Sequence, residues 1–420
     1  MSYALVFRAY PDVDHMAPLA WRLLEEGEDV HAIISPGYEP ESDYRLRYLA
    51  RYRGFHLHRI TAPSLRASLP WALAFLLRHN VRLVAVEWGY GLPGGYDRLR
   101  SAKGVEAVLR SIAGSLLRRS DPQQVRTNFT VAARLLGRAC VSLPHGLSVK
   151  LGRRSEGGKL LAGPYDWRDR NRFDAFVLNT AHHRDWIIER AAGDPAVVQT
   201  WGSLRWAPEW FELNLSLAPH YAWPEPADRA AGSAADRLKV VLMVPKWANF
   251  VDRDATRALV RRLSSLDWIS FAIKGHPRPE DGSTDPLHED PEIDWSRITD
   301  VTAVDSVSVI AAADVVVDVG SSIGIEAVMQ GKVLINPSYI HDFWTFFDEV
   351  RDSCVIAGSA DEVVAYLRRH AAGVPHQVTD EAYRELLRRG VYGSQPEPFD
   401  VIGTYCERVK TLAHPTNRRQ

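Results

Sequence analysis

The strongest constraint on the fold is an alternation of short apolar runs with segments of helical period. It fills the first half of the chain, breaks off, and starts again. In the first half YALVFRA (3–9), DVHAIIS (29–35), FHLHRI (55–60), RLVAVEW (82–88), ACVSLPH (139–145) and FDAFVLN (173–179) have the length and apolar content of buried strands. Between the first two lies MAPLAWRLLEEG (16–27), apolar at helical spacing and stopped by Gly27. After the last, Thr180 stands at the N-cap position of AHHRDWIIERAAG (181–193). Strands alternating with helices predict βαβ units, a mostly parallel sheet and an α/β fold.

From residue 219 to 237 the sequence PHYAWPEPADRAAGSAADR loses this period and takes on linker composition. The alternation then resumes with LKVVLMVPK (238–246), the helical DRDATRALVRRL (252–263), WISFAIKGHP (268–277), the helical VSVIAAA (307–313), VVVDVGSS (315–322) and KVLINP (332–337). FDVIGTYCERVKTLA (399–413) is a last helix after Pro396 and Pro398. At 420 residues the chain is too long for one ordinary core. We expect two Rossmann-like domains, 1–218 and 238–395, with a linker at 219–237. Residues 396–420 should form a helix crossing back to the first domain. Ligands of such sheets bind beyond the carboxyl ends of the strands, so a cleft faced by both sheets is the expected site.

Composition removes several classes. With 51 Lys+Arg against 52 Asp+Glu the formal charge is −1, which gives no electrostatic footing for nucleic acid. Cys140, Cys354 and Cys406 show no CxxC spacing, so they read as reduced thiols and not as a zinc site. No apolar run approaches a membrane span, and charges come too early for a signal peptide. A cytoplasmic protein is expected.

Chemistry-bearing residues gather where strands end. In ADVVVDVGSSIGIEAVMQGK (313–332), Gly320, Ser321 and Ser322 would let a phosphate approach backbone N–H groups, and Glu326 would accept from a ribose diol. The competing reading is an N-cap with a capping-box Glu. IKGHPRP (273–279) carries Lys274, His276 and Arg278 on alternate positions, a phosphate site or a solvated turn. Lys246 in VPKW would bridge a diphosphate or lie in solvent. In SLPHGLSVK (142–150), His145 precedes Gly146 and is either a general base or a structural imidazole. AYPDVDHMAP (9–18) places Asp12, Asp14 and His15 in a loop after the first strand, and Glu87-Trp88 ends another strand. His182 and His183 are adjacent on a helix, point apart, and read as structural. Several of the 13 Trp stand near loop ends, among them Trp88, Trp201, Trp206 and Trp210, as stacking platforms or as core.

LPHG, KGHPR and ADVVVDVGSSIGIEAVMQGK together resemble bacterial surface-polysaccharide transferases of the GT-B fold. Teichoic-acid CDP-glycerol glycerophosphotransferases and capsule glycosyltransferases are the nearest groups, and UDP-N-acetylglucosamine 2-epimerases share the fold. DVDHMAPLAWRL and GSLRWAPEW also look capsule-like. The resemblance implies His145 as base or acceptor contact, with Glu87, Asp14 and His15 as further catalytic candidates. It implies His276 at the donor phosphates, Ser321 and Ser322 on the diphosphate, and Glu326 on the ribose. Glycerophosphotransferases carry Asp-Tyr-Ser-Ser where this chain has Asp318-Val319-Gly320-Ser321-Ser322, which favours a sugar transferase. The implied partners are a nucleotide-sugar donor and a glycan or lipid-linked acceptor. No metal or other cofactor is expected, and peripheral association with membrane-bound polysaccharide machinery fits. A glycerophosphotransferase, an epimerase and a non-catalytic nucleotide- or glycan-binding protein are the alternatives.

Overall fold

The computed structural model describes residues 1–60, 68–89, 122–147, 153–154, 160–161, 166–223, 237–244, 247, 251–275, 287–397 and 399–414. It divides into two compact units, Met1–Gly146 with Pro164–Leu217 and Arg388–Gln420, and Leu147–Gly163 with Ala218–Leu387. Most of the expected linker, 224–236, lies outside the described residues.

The first unit is built on seven parallel strands: β1 (Ser2–Phe7), β2 (Asp29–Ile34), β3 (Phe55–Arg59), β4 (Leu83–Glu87), β5 (Ala139–Leu143), β8 (Ala175–Leu178) and β9 (Val198–Thr200). Their order is β3-β2-β1-β4-β5-β8-β9. The omitted β6 (Arg153–Arg154) and β7 (Leu160–Leu161) form a separate antiparallel pair. Strand order reverses between β1 and β4, where a doubly wound sheet opens its ligand-binding crevice. Strands β1, β4 and β5 are buried along their whole length, which is why they read as continuous apolar runs. Helices α1 (Tyr10–Glu25), α2 (Tyr44–Leu49), α3 (Ser68–Arg78), α4 (Pro122–Leu135), α5 (Ala181–Arg190) and α6 (Pro208–Leu217) accompany this sheet. Thr180 caps α5 by accepting from the His183 N–H at 3.3 Å.

The second unit has six parallel strands in the order β12-β11-β10-β13-β14-β15. They are β10 (Leu238–Met243), β11 (Ile269–Lys274), β12 (Ile298–Asp300), β13 (Val315–Asp318), β14 (Val333–Pro337) and β15 (Val355–Ala357). The reversal falls between β10 and β13, so Asp318 ends a strand at the switch point. Its helices are α7 (Arg253–Ser264), α8 (Ser306–Ala312), α9 (Ile323–Met329), α10 (Ala360–Ala371) and α11 (Asp380–Leu386). The chain's last helix, α12 (Val401–Ala413), packs on α1 of the first unit, and Tyr405 there donates to the Gly202 carbonyl at 2.8 Å.

Three sequence expectations need correction. Asp12, Asp14 and His15 are not in a loop: α1 starts at Tyr10, six residues before the apolar period suggests. Pro11 is tolerated there because a first-turn N–H has no helical acceptor, and Asp12 accepts from the Arg8 N–H just outside. Trp201, Trp206 and Trp210 are wholly buried, so they are core and not platforms. The short strands β9, β12 and β15 were not read from the sequence. Cys140, Cys354 and Cys406 are buried free thiols. Among the described residues no helix is long and apolar enough to cross a membrane.

Candidate functional site

The carboxyl ends of β1, β4 and β5 carry one connected charge cluster. Arg8 follows β1, Glu87 ends β4, and His145 follows β5 by two residues. Arg8 grips Asp12 with Nε to Oδ2 at 3.1 Å and Nη2 to Oδ1 at 3.0 Å. The same Nη2 donates to Glu87 Oε2 at 2.6 Å. Glu87 is 0% exposed, and its Oε1 holds His145 Nδ1 in a hydrogen bond. Arg126 from α4 donates to the Glu87 carbonyl and stands 3.8 Å from its Oε2.

The electrostatics follow from this packing. Burial alone would push the Glu87 carboxyl up; the His145 imidazole and the Arg8 guanidinium overcome it and hold Glu87 well below the usual carboxylate range. Asp12 shares the same guanidinium and is pushed up to about 6, by burial first and by the neighbouring Glu87 second, with Arg8 opposing. An ionised carboxylate only accepts hydrogen bonds, so Nδ1 of His145 is the donor. Neutral His145 then carries its lone pair on Nε2, on a side chain that is 40% exposed.

His15 lies beside this pair, its ring centre 6.0 Å from that of His145 and 2% exposed. Burial pushes its imidazole down to about 3, Glu87 working against this and His145 with it. Its Nε2 accepts from the Gly146 N–H at 3.3 Å, and its Nδ1 is a buried donor with no partner among the described residues. Gly146 has φ of +52°, which only glycine adopts without strain, and its carbonyl accepts from Asn179 at 2.7 Å. Trp88, directly after Glu87, is held at φ +43°, a conformation that costs a bulky residue about 1–2 kcal/mol. Asp14 is committed to its own ion pairs with Arg45 and with Arg205, the latter at 3.0 Å.

Ligand atoms of His15, Glu87 and His145 come within 4.8 Å of one another, a separation that suits a cation. Two imidazoles and a carboxylate are also a zinc-type donor set. The electrostatics oppose it, because Arg8 already sits on Glu87 and Arg126 stands close by. A divalent ion would have to enter against two guanidinium charges.

In the second unit the Gly320-Ser321-Ser322 segment folds around Asp318 at the end of β13. Ser321 donates to it twice, N–H to Oδ2 at 2.8 Å and Oγ to Oδ1 at 2.6 Å. Burial pushes the Asp318 carboxyl up to about 7 against these bonds. Gly320 has φ +67°, and a Cβ there would collide with Thr345 Cγ2. Ser322 is the N-cap residue of α9 but its side chain does not cap the helix. Glu326, in the first turn of α9, is 2% exposed. Asp305 is pushed up to about 7, by burial first and by Glu326 second. Lys274 ends β11 with its Nζ donating to the carbonyls of Thr302, at 3.0 Å, and Val304. It braces the loop between β12 and α8 and is pushed down to about 8 by burial. Lys246, His276 and Arg278 lie outside the described residues.

Solved structures of similar fold cover nearly the whole chain. A Staphylococcus aureus protein, MnaA, in a co-structure with UDP matches with a TM-score of 0.54 and 11% identity over 98% of this chain and 95% of that one. A UDP-GlcNAc 2-epimerase of Neisseria meningitidis bound to UDP-GlcNAc matches at 0.52 and 10% identity over 98% and 99%. A glycosyltransferase of Rickettsia africae matches at 0.53 and 10% identity over 99% of both chains. The fold is GT-B. No protein-family model and no curated protein matches the chain.

Within that fold, the structure brings Glu87, His15 and His145 together in the first unit, and Ser321, Ser322 and Glu326 around one strand end in the second. Sequence reasoning missed Arg8 and Arg126, and gave Asp12 no part in the cluster. A guanidinium directly after an apolar strand was the available signal for Arg8, because the next carboxylate in sequence, Asp12, is one helical turn away.

Proposed function

We propose that the chain is a nucleotide-sugar-dependent glycosyltransferase, moving a sugar to a glycan or lipid-linked acceptor of the cell envelope or capsule without a metal ion. The observation that carries this reading is the Glu87–His145 pair. A buried, ionised carboxylate fixes the imidazole proton on Nδ1 and leaves Nε2 as a base on a half-exposed side chain. Nε2 takes the proton of an acceptor hydroxyl, the oxygen attacks the anomeric carbon, and the nucleoside diphosphate leaves with the bonding pair. Such a base serves an inverting displacement. Glu87 orients the ring and stabilises the imidazolium that forms, and Arg8 keeps Glu87 ionised.

Donor binding is assigned to the second unit, with Ser321 and Ser322 at the diphosphate and Glu326 at the ribose. Lys246, His276 and Arg278 are proposed to neutralise the phosphates. Helix α9 has seven residues, so side chains and free N–H groups carry more of this than the helix dipole does. Lys274 spends its ammonium on the Thr302 and Val304 carbonyls and braces the loop before α8. Work at the inner face of the membrane, where lipid-linked acceptors lie, fits this reading.

The test is His145→Ala kinetics with donor affinity measured alongside. A general base loses about 10²-fold or more in kcat with nucleotide binding intact. A kcat that survives, or an affinity that collapses with it, removes His145 from the role. One observation favours an epimerase as the second reading. Asp12, pushed up to about 6, adds a further proton-transfer group linked to Glu87 through Arg8. Epimerisation at a carbon bearing hydrogen takes a proton off and returns one. Incubation with a nucleotide sugar and no acceptor separates the two: an epimer among the products selects the epimerase.

A further inference from the structure

Far from this cluster in sequence, the first unit gathers four histidines at the edge of its sheet. Strand pairing places His31 of β2 opposite His56 of β3, and Ile33 opposite His58. His31, His56 and His58 therefore share one face, and His79 joins them from the residue after α3. The His31 and His79 ring centres are 4.7 Å apart, those of His31 and His58 5.2 Å, and those of His58 and His79 5.3 Å. Phe75 stands edge-on to His31 and His58 and walls one side.

These distances have a specific chemistry. Imidazoles bound to one ion through bonds of about 2.0–2.1 Å have ring centres roughly 4.5–5.2 Å apart for angles between square and tetrahedral. His31 Nδ1 and His58 Nε2 are 3.0 Å apart, which subtends about 90–95° at such an ion. His56 is different: it stacks nearly parallel on His31 at 4.8 Å, and its Nε2 lies 3.7 Å from Asp29. It is placed to hold His31, not to bind with it. His31 Nδ1 and His58 Nε2 already face each other across one shared hydrogen, so a lone pair of one ring is aimed at the other. Arg78 is exposed, and solvent screens it from an incoming cation.

We propose that His31, His58 and His79 form a three-histidine binding site for a divalent transition metal, zinc by ligand type, clipping β2, β3 and the end of α3 together. The ring nitrogens of the three do not all converge as those of His15, Glu87 and His145 do. Closure therefore needs a turn of the His79 ring about its side-chain torsions, with the ring centres already in place. The ion replaces the proton shared between His31 and His58. An open fourth position is left for water.

The experiment is titration of the untagged full chain with Co²⁺, reading visible d–d bands and stoichiometry, followed by Zn²⁺ competition. One equivalent with tetrahedral-type bands is expected. His58→Gln and His79→Gln, both on half-exposed side chains, should each weaken binding by at least tenfold, and His145→Gln should leave it unchanged. Zn²⁺ should raise the melting temperature of the parent protein and not of the two variants, whose metal-free melting temperatures should match the parent's. No binding, binding unaltered in His58→Gln and His79→Gln, or binding abolished by His145→Gln would each overturn the assignment, the last placing the ion with Glu87.

Discussion

Around their switch points the two units bury carboxyl groups by different means. In the first, Asp12, Asp14, Asp43 and Glu87 are all buried and each meets a guanidinium, from Arg8, Arg45 or Arg205. In the second, Asp318 is held by the N–H and hydroxyl of Ser321, with no ion pair among the described residues, and Asp305 crowds Glu326. Glu87 is held as a charge, which suits a dyad that must keep one tautomer. Asp305 and Asp318 are pushed up to about 7, which suits groups that exchange hydrogen bonds with a ligand. Both arrangements occupy the strand ends beside a sheet's switch point, so the fold supplies the place and the local pairing supplies the chemistry.

The largest expected effect comes from breaking the first arrangement. Glu87→Ala leaves Arg8 and Arg126 facing an empty buried site, and removing one partner of a buried ion pair costs about 3–5 kcal/mol. Urea unfolding should show that loss. Glu87→Gln, which keeps an acceptor for His145, should cost clearly less while still lowering kcat, since a neutral amide no longer stabilises the imidazolium. A loss below about 1 kcal/mol for Glu87→Ala would mean the cluster is not held by this carboxylate.

That cluster also marks the limit of what the sequence discloses. Strand cores such as LVAVE and VVVD are legible because burial on both faces demands unbroken apolar runs. The residues ending them, Glu87, His145 and Asp318, stand out because they interrupt such runs. Arg8 does not, because nothing local says that its second partner lies 79 residues on. Helix α1 begins before its apolar period because its first turn is spent on Asp12 and the residue after that turn, Asp14, on ion pairs. The strands β9, β12 and β15 have three residues each, too few for a period to show.

Backbone geometry gives the next effect. Gly320→Ala meets two penalties, the left-handed φ and the collision with Thr345, together about 2–4 kcal/mol. Gly331 has nearly the same φ, +70°, with nothing within 4 Å of an added Cβ, so Gly331→Ala should cost only about 1 kcal/mol. Thermal or urea denaturation of both variants isolates the collision. Equal losses would show that Thr345 yields freely and that the turn before Ser321 is softer than its packing implies.

A smaller effect separates the units by pH. Asp318 has its carboxyl raised to about 7, so the stability tied to its protonated form is complete below the ordinary aspartate range and is lost as pH rises through about 7. Asp318→Asn, which mimics the neutral acid, should therefore gain on the parent between pH 5 and pH 8, by on the order of 2 kcal/mol. Glu87 runs the other way. Its carboxyl is held low, so its contribution is present above the ordinary glutamate range and is lost only in acid. Above about pH 7, once Asp12 has also titrated, the difference between Glu87→Gln and the parent should stay flat. Stability curves at several pH values check both signs, and a flat Asp318→Asn difference would place that carboxyl among the committed charges.

The smallest effect concerns what the second unit is proposed to bind. Glu326 is buried in the first turn of α9, four residues past Ser322, and its charge, after burial, drives Asp305 up. A ribose diol donating two hydrogen bonds would relieve that crowding, because bonds to a carboxylate are worth about 1.5–3 kcal/mol each and water can replace only part of them. Glu326→Gln keeps the shape and one acceptor but loses the charge. We expect nucleotide affinity to fall about 5–10-fold, roughly 1–1.4 kcal/mol, for whichever of UDP, CMP and GDP binds the parent best. His145→Ala should leave the same affinity untouched, since its unit is assigned the chemistry and not the donor. Calorimetry on both variants turns the contrast between the units into a division of labour: affinity should follow Glu326, turnover should follow His145, and affinity unchanged in Glu326→Gln would take the ribose out of its reach.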